Sequence, residues 1–417
     1  MGLKRIVIFI VLYLLLECNF LYLLPPNKYS ELYNLLLIVF IIIFQVKAMK
    51  KHVYVFSKFV ILFMILYFID LIVSCYTYHQ GFMSVLHSSE YNLLILSYFI
   101  FSWYLKKTKK FFQFKYVFVV FSLILSSLFD IQYILYSKNI IFLNIPLNVR
   151  FETLRINSTT IIPNLGVIIA FTNLLNSRTK GFAKLICFAN VVIGFIYIVF
   201  VGKVRIALLI EIICLLVFVI LKYRKKLIKL TYVLLFLGVV VIIFSSSSII
   251  NQYSSSVNSD DTSYTIRQDE ISYYLKQANE NPIMGIGIIV PTEGDETFYI
   301  LRGIQGIYYA NDVGIFGVLQ TFGLCGLLWY LMLLVKMLSM IFKITRLRKF
   351  DEYLEFVPIF IYILLTSVTL IILDDQRNFM LPIIMAMMEY MYVQSIGTRE
   401  IKAKPKVFSK IDDIKID

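Results

Sequence analysis

FAKLICFANVVIGFIYIVFVGKVRIALLIEIICLLVFVIL, residues 182–221, decides the fold. Two apolar runs, 182–201 and 206–221, flank the four residues Gly202-Lys203-Val204-Arg205. A bilayer core about 30 Å thick asks for about 20 apolar residues per helix. Lipid offers the backbone no hydrogen bonds, so a crossing segment must satisfy its own, as a helix does. The stretch therefore reads as two membrane-crossing helices joined by a short polar turn.

The same pattern recurs outward in both directions. Spans are predicted near 6–24, 29–46, 59–76, 91–105, 116–136, 159–175, 182–201, 206–221, 230–249, 310–335, 356–373 and 379–396. The tenth is long and Gly-rich, and a tilt or break is expected within it. Across the 417 residues, 59% are hydrophobic and 16% charged. Soluble domains carry about 25% charged residues, so a soluble enzyme, a disordered chain and a fibrous repeat are excluded. The expected fold class is all-α: a polytopic membrane protein of about twelve transmembrane helices with one large external loop. Residues 1–249 hold spans one to nine, 250–309 the loop, 310–396 the last three spans, and 397–417 a polar, Lys-rich tail expected to be loosely ordered. The first run is too long for a signal-peptide core and lacks a small-residue cleavage site, so it is expected to stay as a span. The five Cys stand singly and form neither a CxxC pair nor a disulfide framework.

Loop charge sets the orientation. Of 40 Lys and Arg, 29 fall in the segments that would be cytoplasmic with the N-terminus inside, 10 in the external ones, and Lys184 within the seventh span. That bias follows the positive-inside rule and puts both termini in the cytoplasm. The clusters at 106–110 and 222–229 read as topology anchors lying against anionic lipid. The net charge of +14 is thus a membrane feature and implies no nucleic-acid partner.

Chemistry is expected on the outer face. The turn 202–205 places Lys203 and Arg205 where orientation disfavours cations, at the depth of a lipid headgroup. Arg pairs bidentately with phosphate oxygens and Lys acts as a point charge. The bland alternative is that both side chains only reach for the interface. Arg150 and Arg155 lie in the external segment 137–158, where a surface pair with Glu152 is an equal competitor. With Lys203 and Arg205 they would make a cationic basin suited to a diphosphate.

In the long loop, residues 262–280 lack Gly and Pro and are expected to form a surface helix, followed by a tight turn over 281–287. The loop's acids and tyrosines suit carbohydrate but equally suit solvent. Glu17, Asp70, Asp130, Glu211 and Glu389 fall inside spans, where ionisable groups usually face a partner or a cavity. They fit either an ion path or static pairing. His is scarce: His52 is cytoplasmic, while His79 and His87 lie in an external loop. HExxH, P-loop and GxSxG patterns are absent, so neither an ATP-driven nor a zinc-dependent mechanism has support.

Several external stretches share an order with a known family. They are Arg155-Ile-Asn-Ser-Thr-Thr-Ile-Ile-Pro163-Asn164-Leu-Gly166, then Gly202-Lys203-Val-Arg205, then Asn281-Pro282-Ile-Met-Gly285-Ile-Gly287. Asn311-Asp312-Val-Gly314, Phe322-Gly323-Leu-Cys-Gly326 and Asp374-Asp-Gln-Arg377-Asn follow. Over about residues 145–395 the chain resembles Wzy-type O-antigen or capsular polysaccharide polymerases, within the O-antigen polymerase and ligase superfamily.

The resemblance implies a metal-independent glycosyltransferase without cofactor in the bacterial cytoplasmic membrane. It would join oligosaccharide repeat units linked to undecaprenyl diphosphate on the outer leaflet. Its partners would be that lipid-linked substrate, membrane lipid, a chain-length regulator and a flippase. The leaving diphosphate needs cations, which gives Arg205 a catalytic role, with Arg150, Arg155, Lys203 and Arg377 binding diphosphate. Related ligases carry a His before the Asn of the last external motif; here Ala310 stands there, and Asp312 is the substitute base. The alternative is a lipid-linked oligosaccharide flippase or another secondary transporter, which fits twelve spans and intramembrane acids. No internal repeat of the kind such carriers show is seen.

Overall fold

The computed structural model describes residues 3–25, 29–145, 148–150, 153–156, 158–176, 179–223, 262–347 and 354–403. The predicted ninth span, residues 224–229 of the 222–229 cluster, Glu152 and the tail beyond 403 lie outside the described residues.

Fourteen α-helices occur among the described residues. In chain order they are α1 (Leu3–Glu17), α2 (Ser30–Met49), α3 (Ser57–Thr77), α4 (Phe82–Ser88), α5 (Ser97–Thr108), α6 (Phe111–Tyr136) and α7 (Ile161–Leu174). There follow α8 (Gly181–Ile196), α9 (Arg205–Tyr223), α10 (Thr262–Glu280), α11 (Glu296–Arg302), α12 (Ile315–Leu347), α13 (Phe356–Thr366) and α14 (Leu381–Ala403). Six helical stretches are long and apolar enough to cross a membrane: α2, α3, α6, α8 with its extension to Gly202, α9 and α12 as far as Ile344. Ile8–Glu17, α7 and α13 are shorter apolar helices. The described strands, β1 (Asn148–Arg150) and β2 (Thr153–Arg155), form one antiparallel pair. The chain is an all-α, multi-pass membrane protein, with six spanning helices established by length and composition.

Burial separates the bundle's centre from its lipid-facing rim. Every residue of α7 from Ile161 to Asn173 is buried, packed by α6, α8 and α9. A helix apolar all round belongs inside a bundle or in lipid, and α7 is inside. On α2 only 17% of the apolar window is buried, and Phe40, Ile43 and Phe44 point outward, as a helix solvated by acyl chains requires. Small residues let backbones approach: Gly194 of α8 sits on Val167 of α7, and Gly166 on Ser122 of α6.

Buried polar side chains tie helices together. Lys115 of α6 pairs with Glu355 at 2.5 Å and donates to the side-chain Oδ1 of Asn173 at 3.2 Å. Glu389 of α14 accepts from Tyr98, Ser102 and the Val55 N–H, and meets His52 at 3.1 Å. Glu17 likewise accepts from Asn34 at 2.5 Å, so Glu17 and Glu389, both predicted inside spans, are held by neighbouring helices.

The tenth predicted span breaks where its glycines suggest. Gly323, inside α12, has φ 60° and ψ −157°, so the helical ladder is interrupted. The turn 282–287 fills the gap with its own backbone. Leu324 and Cys325 donate to the carbonyls of Pro282 and Ile283 at 2.9 and 3.1 Å. The carbonyls of Gln320 and Thr321 accept from Ile286 and Gly287 at 2.8 and 3.0 Å. Interrupted helices are tolerated in membranes only when neighbours satisfy the freed groups. The fit requires glycine on both sides. A Cβ at Gly323 would lie 2.4 Å from the Ile283 oxygen, and one at Gly285, with φ 72°, 2.3 Å from the Gln320 oxygen.

Candidate functional site

The described part of the long loop is organised by one face of α10. Glu270, Tyr274 and Gln277 follow each other at i, i+4 and i+7, a helix stripe. The Tyr274 hydroxyl donates to the Leu301 carbonyl at 2.9 Å, and the Gln277 amide to the Ile300 carbonyl at 2.8 Å. Both bonds satisfy carbonyls at the end of α11, which helix geometry leaves open. Gln320 of α12 donates to Gln277 at 2.8 Å, so α10 is also fastened to the bundle. Glu270 accepts the Tyr309 N–H at 3.1 Å, ahead of the 3-10 turn Ala310–Asp312. This stripe thus positions both Arg302 and Asp312.

Between these elements lies a cavity of about 340 Å³. Its polar lining is Ser88, Ser89, Tyr91, Arg302, Tyr308, Tyr309, Asn311, Thr321, Asp374 and Asp375. The Arg302 guanidinium lies 3.8 Å from the centre of the Tyr309 ring and donates to the Tyr308 carbonyl at 3.4 Å. Asn311 donates to Asp375 at 2.9 Å. Burial raises the Asp375 carboxyl above the usual range, with Arg302 opposing that rise. Arg377 is ion-paired with Asp374. Its burial weakens its hold on the proton, while Tyr362 and Asp312 strengthen it. Aromatic faces, carboxylates, an amide and the Arg302 cation around one small cavity can orient a sugar and meet a negatively charged group.

A second group of cations gathers beside the 202–205 turn. The β1–β2 register pairs Asn148 with Arg155 and Arg150 with Thr153, so alternation places positions 150 and 155 on one face of the ribbon. The Arg150 side chain lies outside the described residues. Ile156 donates to the Val201 carbonyl at 3.1 Å, and the Tyr197 hydroxyl to the Ile156 carbonyl at 3.0 Å. These bonds hold the ribbon against the widened helical turn Tyr197–Gly202 that ends α8. Lys203 follows with φ 50° and donates to the Tyr133 hydroxyl at 3.0 Å. Arg205 opens α9, and both it and Arg155 are engaged by neighbouring groups.

Tyr362 of α13 is buried near Arg377. It accepts from Asn164 at 3.0 Å and lies within electrostatic reach of Arg377 and Glu211. Tyr197 in turn lies within electrostatic reach of Tyr362 and Asp130. Of the residues singled out in the sequence, Asp312 and Arg377 lie within electrostatic reach of each other, while Arg155, Lys203 and Arg205 are placed around the turn Tyr197–Gly202. Arg302, Tyr309, Asp375 and Glu270 were not singled out. No spacing rule marks them, because they are brought in by contacts between segments far apart in sequence. Among the described residues, no group of three or more His, Cys, Asp or Glu is placed to hold a metal ion.

Comparison with known proteins gives one family. Residues 189–331 match the family model described as O-antigen ligase. The matched segment runs from α8 through the long loop into α12, and so includes Lys203, Arg205, Glu270, Arg302 and Asp312. The match supports the O-antigen ligase and polymerase superfamily and a membrane enzyme that transfers glycans. No curated protein matches the chain.

Proposed function

We propose that the protein is a polysaccharide polymerase, joining oligosaccharide repeat units carried on undecaprenyl diphosphate at the outer face of the cytoplasmic membrane. One observation carries this reading. Asp312 and Arg377 lie within electrostatic reach of each other, and Arg377 pairs with Asp374 of a cavity also lined by Arg302 and tyrosines. Tyr362 is within electrostatic reach of Arg377 and of Tyr197, which opens the turn that leads to Lys203.

In the proposed reaction the terminal sugar hydroxyl of one lipid-linked unit attacks the anomeric carbon of the growing chain. Asp312 accepts the hydroxyl proton. The bond from the anomeric carbon to the diphosphate oxygen breaks, and its electron pair leaves on the lipid diphosphate. Arg205, Arg155 and Arg150 meet that charge, with Lys203 and Arg377 assisting. Fixed cations aimed at charge that develops only in the transition state accelerate the step itself. Ala310, standing where related ligases place His, favours a polymerase.

The Arg205→Ala variant tests the reading. Long glycans are expected to vanish while single lipid-linked units accumulate on the outer leaflet. Normal chain length at normal protein level would overturn the assigned site. Accumulation on the cytoplasmic leaflet would instead identify a flippase. Transfer of finished glycan to a separate acceptor lipid would identify a ligase.

A further inference from the structure

Among the described residues of the long loop, Glu270 is a buried acid. It is 2% exposed, although it sits on a polar surface helix. One carboxylate oxygen accepts the Tyr309 N–H at 3.1 Å, and the other finds no hydrogen-bond partner among the described residues. A buried carboxylate oxygen left unpaired is costly, and an amide side chain of the same shape would have served to hold Tyr309. Asp312, three residues further on, lies within its electrostatic reach.

We propose that Glu270 is a positioning residue for glycosyl transfer: one oxygen fixes the Tyr309–Asp312 turn, and the carboxylate's charge stands behind Asp312 when that residue takes the acceptor's proton. The inference rests on the polymerase reading and deepens it. The acceptor O–H bond breaks, its proton passes to Asp312, the new C–O bond forms, and the diphosphate leaves with the old bond's electron pair. A negative charge behind the turn favours movement of the proton away from the acceptor, and Glu270 is the buried group that supplies it. Glu270 does not line the cavity, so it acts through the turn and not on the sugar.

The surroundings make this charge switchable. Burial pushes the Glu270 carboxyl up to about 7; the Tyr309 N–H pulls it down, Asp312 pushes it up, and Arg267 pulls it down. Tyr273 and Tyr274 share its helix, and Arg302 approaches from α11 through Tyr274. Below that value Glu270 is neutral and equivalent to glutamine; above it the charge is present.

The experiment is chain extension by the full-length protein in vesicles, with purified lipid-linked repeat units, across pH. Wild-type rate is expected to rise through neutrality. E270Q should fall about tenfold below wild type near pH 8 and converge with it near pH 5.5, since only the charged form differs. E270D should retain a pH-dependent rise at reduced rate. Equal loss for E270Q at all pH values, or no loss at any, would overturn the proposal while leaving the polymerase reading intact. If E270Q is not recovered folded, E270D decides: a flat profile overturns the proposal and a retained rise supports it. Failure of the wild-type protein to extend chains would overturn the polymerase reading, and this inference with it.

Discussion

At the scale of single residues, the molecule separates charges that hold helices from charges left for chemistry. Lys115 and Glu355 are a holding pair, both buried and 2.5 Å apart. Removing one partner leaves a bare buried charge, so Glu355→Ala should cost about 3 kcal/mol. Thermal unfolding in detergent checks this, and the double replacement K115M/E355L should be much milder. Asp312 belongs to the other class. Asp312→Asn keeps the size of the side chain and removes the proton acceptor, so extension should fall about 100-fold with protein level unchanged. Lys203 lies between the classes, since its ammonium already bonds Tyr133 at 3.0 Å. Lys203→Arg should preserve part of the extension rate if charge is what matters there; complete loss in the vesicle assay would reveal a shape requirement.

At the scale of elements, the glycines of α12 announce a break, and Gly323 provides it. The segment that fills the break was visible only as a tight turn. Backbone pairing between 282–287 and 320–325 has no side-chain period, and nothing local signals which distant carbonyls need donors. Gly323→Ala and Gly285→Ala should each destabilise the protein by about 2 kcal/mol or more, because both add a Cβ against carbonyl oxygen at positive φ. Circular dichroism melts of the purified protein would show it. The helix predicted over 262–280 is found as Thr262–Glu280, but its stripe of Glu270, Tyr274 and Gln277 looked like ordinary solvated polarity. The segment 137–158, given no secondary structure in the sequence reading, holds the β1–β2 ribbon, whose strands of three residues are too short to show alternation.

At the scale of the whole molecule, the all-α membrane class was legible from apolar run length, because a bilayer imposes that length on any sequence. Orientation was read from charge, which sees the membrane and not the fold. Cysteines introduced at Lys276 and Lys107, in a chain lacking its own five, test that orientation. Only the former should react with an impermeant thiol reagent in intact cells. The candidate site was legible only in pieces: Asp312 and Arg377 come within electrostatic reach by packing that composition does not encode, and Arg302 arrives on α11 unannounced. The backbone splice at Gly323 has a mechanical consequence. Four hydrogen bonds side by side fasten the turn 282–287, and with it the long loop, to a membrane-spanning helix. A pull on the long loop would then be carried into the bundle, and the loop could not tilt without disturbing the helix beneath it.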